Sequence, residues 1–202
     1  MADQQCVHTF FYQADKGWSV PHFPLLDSEQ TLVLAFADTL FGDNPAPFVE
    51  LARAYPNSFI LGCSTSGEIL GSAISDASVV VAVVRFSHTP LRQAVAPVRT
   101  VEESFSAGEK IAQTLLAPDL RGVFVLSDGL NVNGSELVRG LRESLPQAVV
   151  VTGGLAGDGN RFERTWVLHQ GIPQAKVITA LGLYGDSIQI SHGSQGGWDM
   201  FG

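Results

Sequence analysis

Cysteine is scarce in this chain. Cys6 and Cys63 are the only two, they lie far apart, and no Cys-x-x-Cys occurs, so neither a zinc knuckle nor a thioredoxin-type redox site is available. Positive charge is sparse as well: 12 Lys and Arg against 20 Asp and Glu give a net charge of −8, with no basic cluster. A surface that tracks nucleic-acid phosphates is excluded on that ground. Long apolar runs are also missing. The longest, Val79 to Val84, is far too short to cross a bilayer, which argues against a membrane protein. The amino terminus, MADQQCVHTF, lacks the basic and apolar segments of a secretory signal, so the expected location is cytoplasmic, with reduced thiols. The five histidines, His8, His22, His88, His169 and His192, show no metal-ligand spacing.

What the chain does have is apolar bulk. Hydrophobic residues make up 45% of its 202 positions and charged ones 16%, a balance that suits a sheet-rich fold with several fully buried strands. The length allows one large domain or two small ones.

An internal likeness organises the sequence. Laying residues 32–68 over 122–158 without a gap places LVLAFAD over GVFVLSD. Both read as buried strands that end in an acid, Asp38 and Asp128. Leu51 then falls on Leu141, Pro56 on Pro146, Gly67 on Gly157 and Glu68 on Asp158. The pattern reads as a duplication covering about 32–98 and 122–192. In the first copy a helix is expected from Pro45 to about Tyr55. In the second, Asn133 and Glu136 have the spacing of a capping box, and the helix runs to about Leu145. Each helix leads into a second strand, Phe59–Leu61 or Val149–Val151, and strand–helix–strand units of this length favour parallel pairing. Further β segments follow, Ser78–Phe86 and Lys176–Tyr184, with Arg92–Val98 matched to Ile188–His192. TWVLHQG adds a hairpin to the second copy. A third helix begins at a Thr100/Glu103 capping box and buries Val101, Phe105, Ala112 and Leu115. The fold class expected is α/β, with duplicated β-α-β-β units in mixed, largely parallel sheets flanked by a few helices.

Two small-residue loops carry the chemical interest. In GCSTSGE, Cys63, Ser64, Thr65 and Ser66 stand between Gly62 and Gly67. In GGLAGDGN, Gly153, Gly154 and Gly157 precede or flank Asp158. Small residues let a backbone approach a ligand and offer its N–H groups, and strand-end loops are where α/β sheets bind ligands. Candidate ligand contacts are therefore Cys63, Ser64, Thr65, Ser66, Gly67, Asp128, Asn131, Gly153, Gly154, Gly157 and Asp158. No catalytic constellation accompanies them. A hydrolase elbow fails because Ser66 stands where the second glycine is required, and EILGSAIS reads as strand. A thiol nucleophile at Cys63 lacks an identifiable base, and its gap-free counterpart is Gly153, so any such chemistry would occupy one copy only. The glycine loop is not a Walker loop, since no Gly-Lys-Ser/Thr follows.

GCSTSGEI, VFVLSDGLNVNG and VVTGGLAGDGNRFERTWVLHQG together resemble the N-terminal FIST domain, over roughly residues 25–200. Residues 1–24 then form an N-terminal strand and lead-in, and the closing GSQGGWDMFG resembles the join to a C-terminal FIST domain. The resemblance implies a sensory domain rather than an enzyme. Its ligand would be a small molecule such as an amino acid or related metabolite. Its output would pass to a histidine kinase, a chemoreceptor or a cyclic-diguanylate enzyme. One subgroup, the NosP proteins, implies an alternative of haem-based nitric-oxide sensing, for which His169 and His192 are the histidines to test. The less favoured alternative is a Cys63- or serine-dependent enzyme.

Overall fold

The computed structural model describes residues 6–191 and Gly193. Along the chain run β1 (Val7–Gln13), β2 (Gly17–Trp18), β3 (Thr31–Ala37), α1 (Ala46–Ala54), β4 (Phe59–Ser64), β5 (Glu68–Leu70), β6 (Ala73–Ser75), β7 (Ser78–Arg85) and β8 (Leu91–Pro97). There follow α2 (Ser104–Leu115), β9 (Leu120–Ser127), α3 (Gly134–Ser144), β10 (Val150–Leu155), β11 (Val167–His169), β12 (Ile172–Gln174) and β13 (Val177–Tyr184).

The strands form a seven-stranded sheet, ordered β12-β11-β4-β3-β7-β1-β2, and a four-stranded sheet, ordered β10-β9-β13-β8; β5 and β6 make a separate hairpin. Three apolar layers separate four structural ones. Val33, Ala35, Phe48 and Leu51 pack α1 on the outer face of the larger sheet. Leu61, Cys63, Leu126 and Leu181 fill the space between the sheets. Ile111, Leu115, Leu137 and Leu141 pack α2 and α3 on the outer face of the smaller sheet. Strand alternation explains the division: on β3, Val33 and Ala35 face α1, while Leu32 and Leu34 face the other sheet.

The fold is α/β with mixed sheets, as the pattern indicates. Among the described residues, parallel pairing is confined to β3 with β4 and β9 with β10, the two strand–helix–strand units. All the other paired strands are antiparallel, so the sheets are less parallel than expected, because each unit is extended by hairpins and long returns rather than by further crossover helices. The two halves also exchange strands. The β11–β12 hairpin of the second half pairs with β4 of the first through Val167 and Cys63. β8 of the first half pairs with β13 of the second. No strand forms among the described residues from Ile188 to Ser191, and His192 lies outside the described residues, as does the closing GSQGGWDMFG from Ser194 onward.

Helix ends follow local chemistry. Asn133 Oδ1 accepts from the Ser135 and Glu136 amides and starts α3. The Thr100/Glu103 capping box is not formed: Glu103 accepts from the Arg99 amide, and a 3-10 turn at Val101–Glu103 precedes α2. That turn rotates the buried face to Ala107, Gly108, Ile111, Ala112 and Leu115, and leaves Val101 exposed. Gly108 and Gly140 let α2 and α3 touch. A Cβ on Gly108 would lie 2.5 Å from the Leu137 carbonyl oxygen, and one on Gly140 would lie 2.1 Å from that of Phe105.

Candidate functional site

Both parallel units end in an acid that folds its own loop. Asp38 Oδ1 accepts from the Leu40 amide at 2.9 Å, and Asp128 Oδ1 accepts from the Leu130 and Asn131 amides at 2.8 and 2.9 Å. Asp128 goes further. Its carboxylate also takes the Thr165 hydroxyl at 2.9 Å, the Lys176 amide at 2.7 Å and the Asn131 side-chain amide. The residue is wholly buried. Burial alone would push its pKa up, but the amides of Lys176, Asn131 and Leu130 and the Thr165 hydroxyl outweigh it and hold the carboxyl below its ordinary value. Asp128 and Asn131 are thus committed to each other and to the chain.

The GCSTSGE stretch is a splice between the halves. Gly62 presses against β3 so closely that a Cβ there would lie 2.0 Å from the Ala35 carbonyl oxygen. Cys63 is 3% exposed in the layer between the sheets, and burial pushes its thiol pKa up to about 12. Ser64 is buried, and its three polar backbone and side-chain groups are engaged. Its amide donates to the Trp166 carbonyl, its hydroxyl accepts from the Trp166 amide, and its carbonyl accepts from the Gly157 amide. Ser66 Oγ accepts from the Gly159 amide at 3.0 Å. Gly67 has a φ of 146°, a backbone form that favours glycine. Thr65 donates to Glu68 at 2.7 Å, and Glu68, 1% exposed, also accepts from Ser78. Burial raises the Glu68 pKa, against the opposing hydrogen bonds from Thr65 and Ser78.

The second loop divides into two parts. Gly157 and Asp158 belong to the splice: Asp158 is buried and accepts from the Phe162, Glu163 and Arg164 amides at 2.8–2.9 Å. The Arg164 amide leads the hydrogen bonds that hold its carboxyl below the ordinary range. Two arginines fasten the same loop to the first half, Arg161 on Thr39 at 2.7 Å and Arg164 on Asp43 at 2.5 Å. Gly153 and Gly154 lie elsewhere, exposed on the outer strand β10. A Cβ on Gly153 would lie 1.8 Å from the Val125 carbonyl oxygen. Its geometric counterpart is therefore Gly62: Ala35 to Val125 spans 90 positions, while Gly62 to Gly153 spans 91. Thr65 on Ala37 and Ala156 on Ser127 repeat that difference. Cys63 therefore corresponds to Gly154, not to Gly153 as the gap-free alignment has it, with one extra residue between Pro146 and β10.

The structure thus joins Ser64, Ser66, Gly157 and Asp158, with Cys63, Thr65 and Gly67 alongside, as one knot. Asp128 and Asn131 reach it through Thr165, the neighbour of Trp166. Gly153 and Gly154 are not part of it. They border a groove of about 250 Å³ between α3 and β10, with Leu137, Val138, Val151 and Leu155 as its apolar wall. Sequence reasoning missed Arg161, Arg164, Thr165 and Trp166 as partners of the first loop, because contacts between residues about 100 positions apart leave no local pattern.

Among the described residues no group of three or more His, Cys, Asp and Glu could hold a metal ion, and no helix is long and apolar enough to cross a membrane. His192 lies outside the described residues, and His22 borders an open surface groove with Trp18, Phe23 and the Glu50 carboxylate.

The FIST N domain family model matches residues 31–202. No curated protein matches the chain.

Proposed function

Because the chain belongs to the FIST N domain family, a family of sensory domains and not a known enzyme family, we propose that it binds a small ligand, an amino acid or related metabolite, in the groove between α3 and β10. The observation that carries this reading is the groove itself. It is apolar on one side, and Ser127, Arg142, Thr152, Gly153 and Gly154 complete its lining with polar side chains and the backbone of the edge strand. The other candidate contacts support the same reading indirectly. Ser64 and Gly157 spend hydrogen bonds on joining the halves, and Asp128 and Asp158 spend theirs on fixing the second half's loops, so a strain set up at β10 reaches β9, Asp128 and the Thr165–Trp166 segment through bonds that have little slack. The ligand signal would pass from there to a partner such as a histidine kinase, a chemoreceptor or a cyclic-diguanylate enzyme.

The enzymatic alternative loses support from the burial and high pKa of Cys63. Thermal-shift measurements with amino acids and related metabolites test the ligand reading. The expected result is a stabilising ligand whose effect disappears in Val138→Trp, a change at a half-exposed position that fills the groove. A panel without any stabilising compound would overturn the reading.

A further inference from the structure

The lining of the groove between α3 and β10 contains one charged side chain, Arg142. It stands in the last turn of α3, and its guanidinium donates an N–H to the Val149 carbonyl at 2.9 Å, just before β10 begins. That bond holds the cation at one end of the groove. The other end is marked by Gly134, the first residue of α3, where a Cβ would lie 3.0 Å from Leu155 Cδ1. The helix rises about 12 Å between Gly134 and Arg142.

A guanidinium has five N–H donors, and among the described residues the Val149 carbonyl is the one partner of this one. The two acids of α3 do not neutralise it. Glu136 and Glu143 both pair with Arg139, at 2.7 and 3.9 Å, and no Asp or Glu lines the groove. An unpaired cation therefore stands at the head of an apolar trough whose walls are left open: Val138 is 46% exposed and Leu155 52%.

On the reading of this groove as the ligand site, we propose that its ligand is a monocarboxylate with an apolar body and no ammonium group, of which the deaminated counterpart of a branched apolar amino acid is the simplest case. The carboxylate accepts from the N–H groups of Arg142 that Val149 leaves over, a charge-assisted contact that suits the planar guanidinium. The apolar body lies along Val138, Val151 and Leu155 and covers them. An α-amino acid fits less well. Its ammonium nitrogen is two bonds from the carboxyl carbon, so it would stand close to the guanidinium, like charge to like, in a groove with no acid to receive it.

The probes are 4-methylpentanoate, its neutral amide 4-methylpentanamide and the zwitterion leucine, titrated by thermal shift. The acid is expected to stabilise the protein, with the amide and leucine binding about tenfold or more weakly. Added salt should weaken the acid and leave the amide unchanged. Arg142→Gln should bring the acid down to the level of the amide, and Arg142→Lys, which keeps the charge without the fork, should retain part of the difference. If the loss of the bond to Val149 unfolds Arg142→Gln, the ranking of the three probes and its salt dependence in the parent protein decide the matter. Leucine or the amide binding as tightly as the acid, or an acid response that persists at full strength in Arg142→Gln, would overturn the proposal. Should those responses still vanish in Val138→Trp, the groove reading stands and only the ligand class falls. No response to any of the three would overturn this proposal and leave the groove reading to the wider panel of amino acids and metabolites.

Discussion

Ser64 and Trp166, 102 positions apart, hold each other by two hydrogen bonds: the Ser64 amide donates to the Trp166 carbonyl at 3.0 Å, and the Trp166 amide donates to the Ser64 hydroxyl at 3.2 Å. The indole Nε1 extends the contact to the Thr39 carbonyl. The row of small residues that looks like a nucleophile or a ligand cradle is thus a joint, in which hydroxyls stand in for strand pairing at the point where the hairpin of one half meets the sheet of the other.

Ser64→Ala tests the joint. It leaves the buried Trp166 amide without an acceptor, and the expected loss is about 1–3 kcal/mol of unfolding free energy. Urea denaturation measures it. Ser66→Ala, at an exposed position with one bond to the Gly159 amide, should cost less, within about 0.5–1.5 kcal/mol. Equal losses at both positions would contradict the difference in burial.

Three glycines on the corresponding strands β4 and β10 should fall into two classes. Gly62→Ala and Gly153→Ala place a Cβ 2.0 and 1.8 Å from a backbone carbonyl oxygen. Neither oxygen can yield without opening a parallel strand pair, so losses above about 3 kcal/mol, or failure to fold, are expected. Gly154→Ala meets nothing within 4 Å and should stay within about 0.5–1 kcal/mol of the parent. Circular dichroism melting of the three variants checks the ranking.

Much of this architecture is legible in the sequence because it rests on local patterns. The acid-terminated strands, the Asn133 cap and the prolines after α1 and α3 each act within a few residues, and each appears where its chemistry predicts. The site is less legible. Asp128 and Asp158 look like free ligand contacts because sequence shows their charge and not the amides that surround them. The one-residue difference between Gly62 and Gly153 is hidden because a gap-free alignment cannot register an insertion just before β10. The strand exchange by β8 and by the β11–β12 hairpin is equally hidden, since pairing partners far apart in sequence leave no periodicity to read.

Acid stability should carry two opposed contributions. The Asp128 pKa is depressed in the fold, so its contribution is present above the unfolded pKa and lost as pH falls through the folded one. The Glu68 pKa is raised by burial, so its contribution is full below the unfolded pKa and lost as pH rises through the folded one. Unfolding free energy followed from neutral pH down through the carboxylate range should therefore fall less steeply in Asp128→Asn than in the parent, from a lower neutral value. A parallel pair of curves would mean that Asp128 does not titrate differently in the two states.

The two thiols should separate cleanly in a reaction with Ellman's reagent. Cys6 is exposed, whereas Cys63 is buried between the sheets with its pKa pushed up to about 12. The thiolate is the reacting species, and at neutral pH Cys63 presents almost none of it and offers no access. One thiol should react at once, and the second only when denaturant opens the space between Leu61 and Leu126. The rate of that second phase should then follow the opening of the two sheets, and Ser64→Ala, which loosens the strand carrying Cys63, should accelerate it in proportion to its lost stability. Fast labelling of Cys63 in the native protein at neutral pH would point instead to an activated thiol and would return the enzymatic reading to contention.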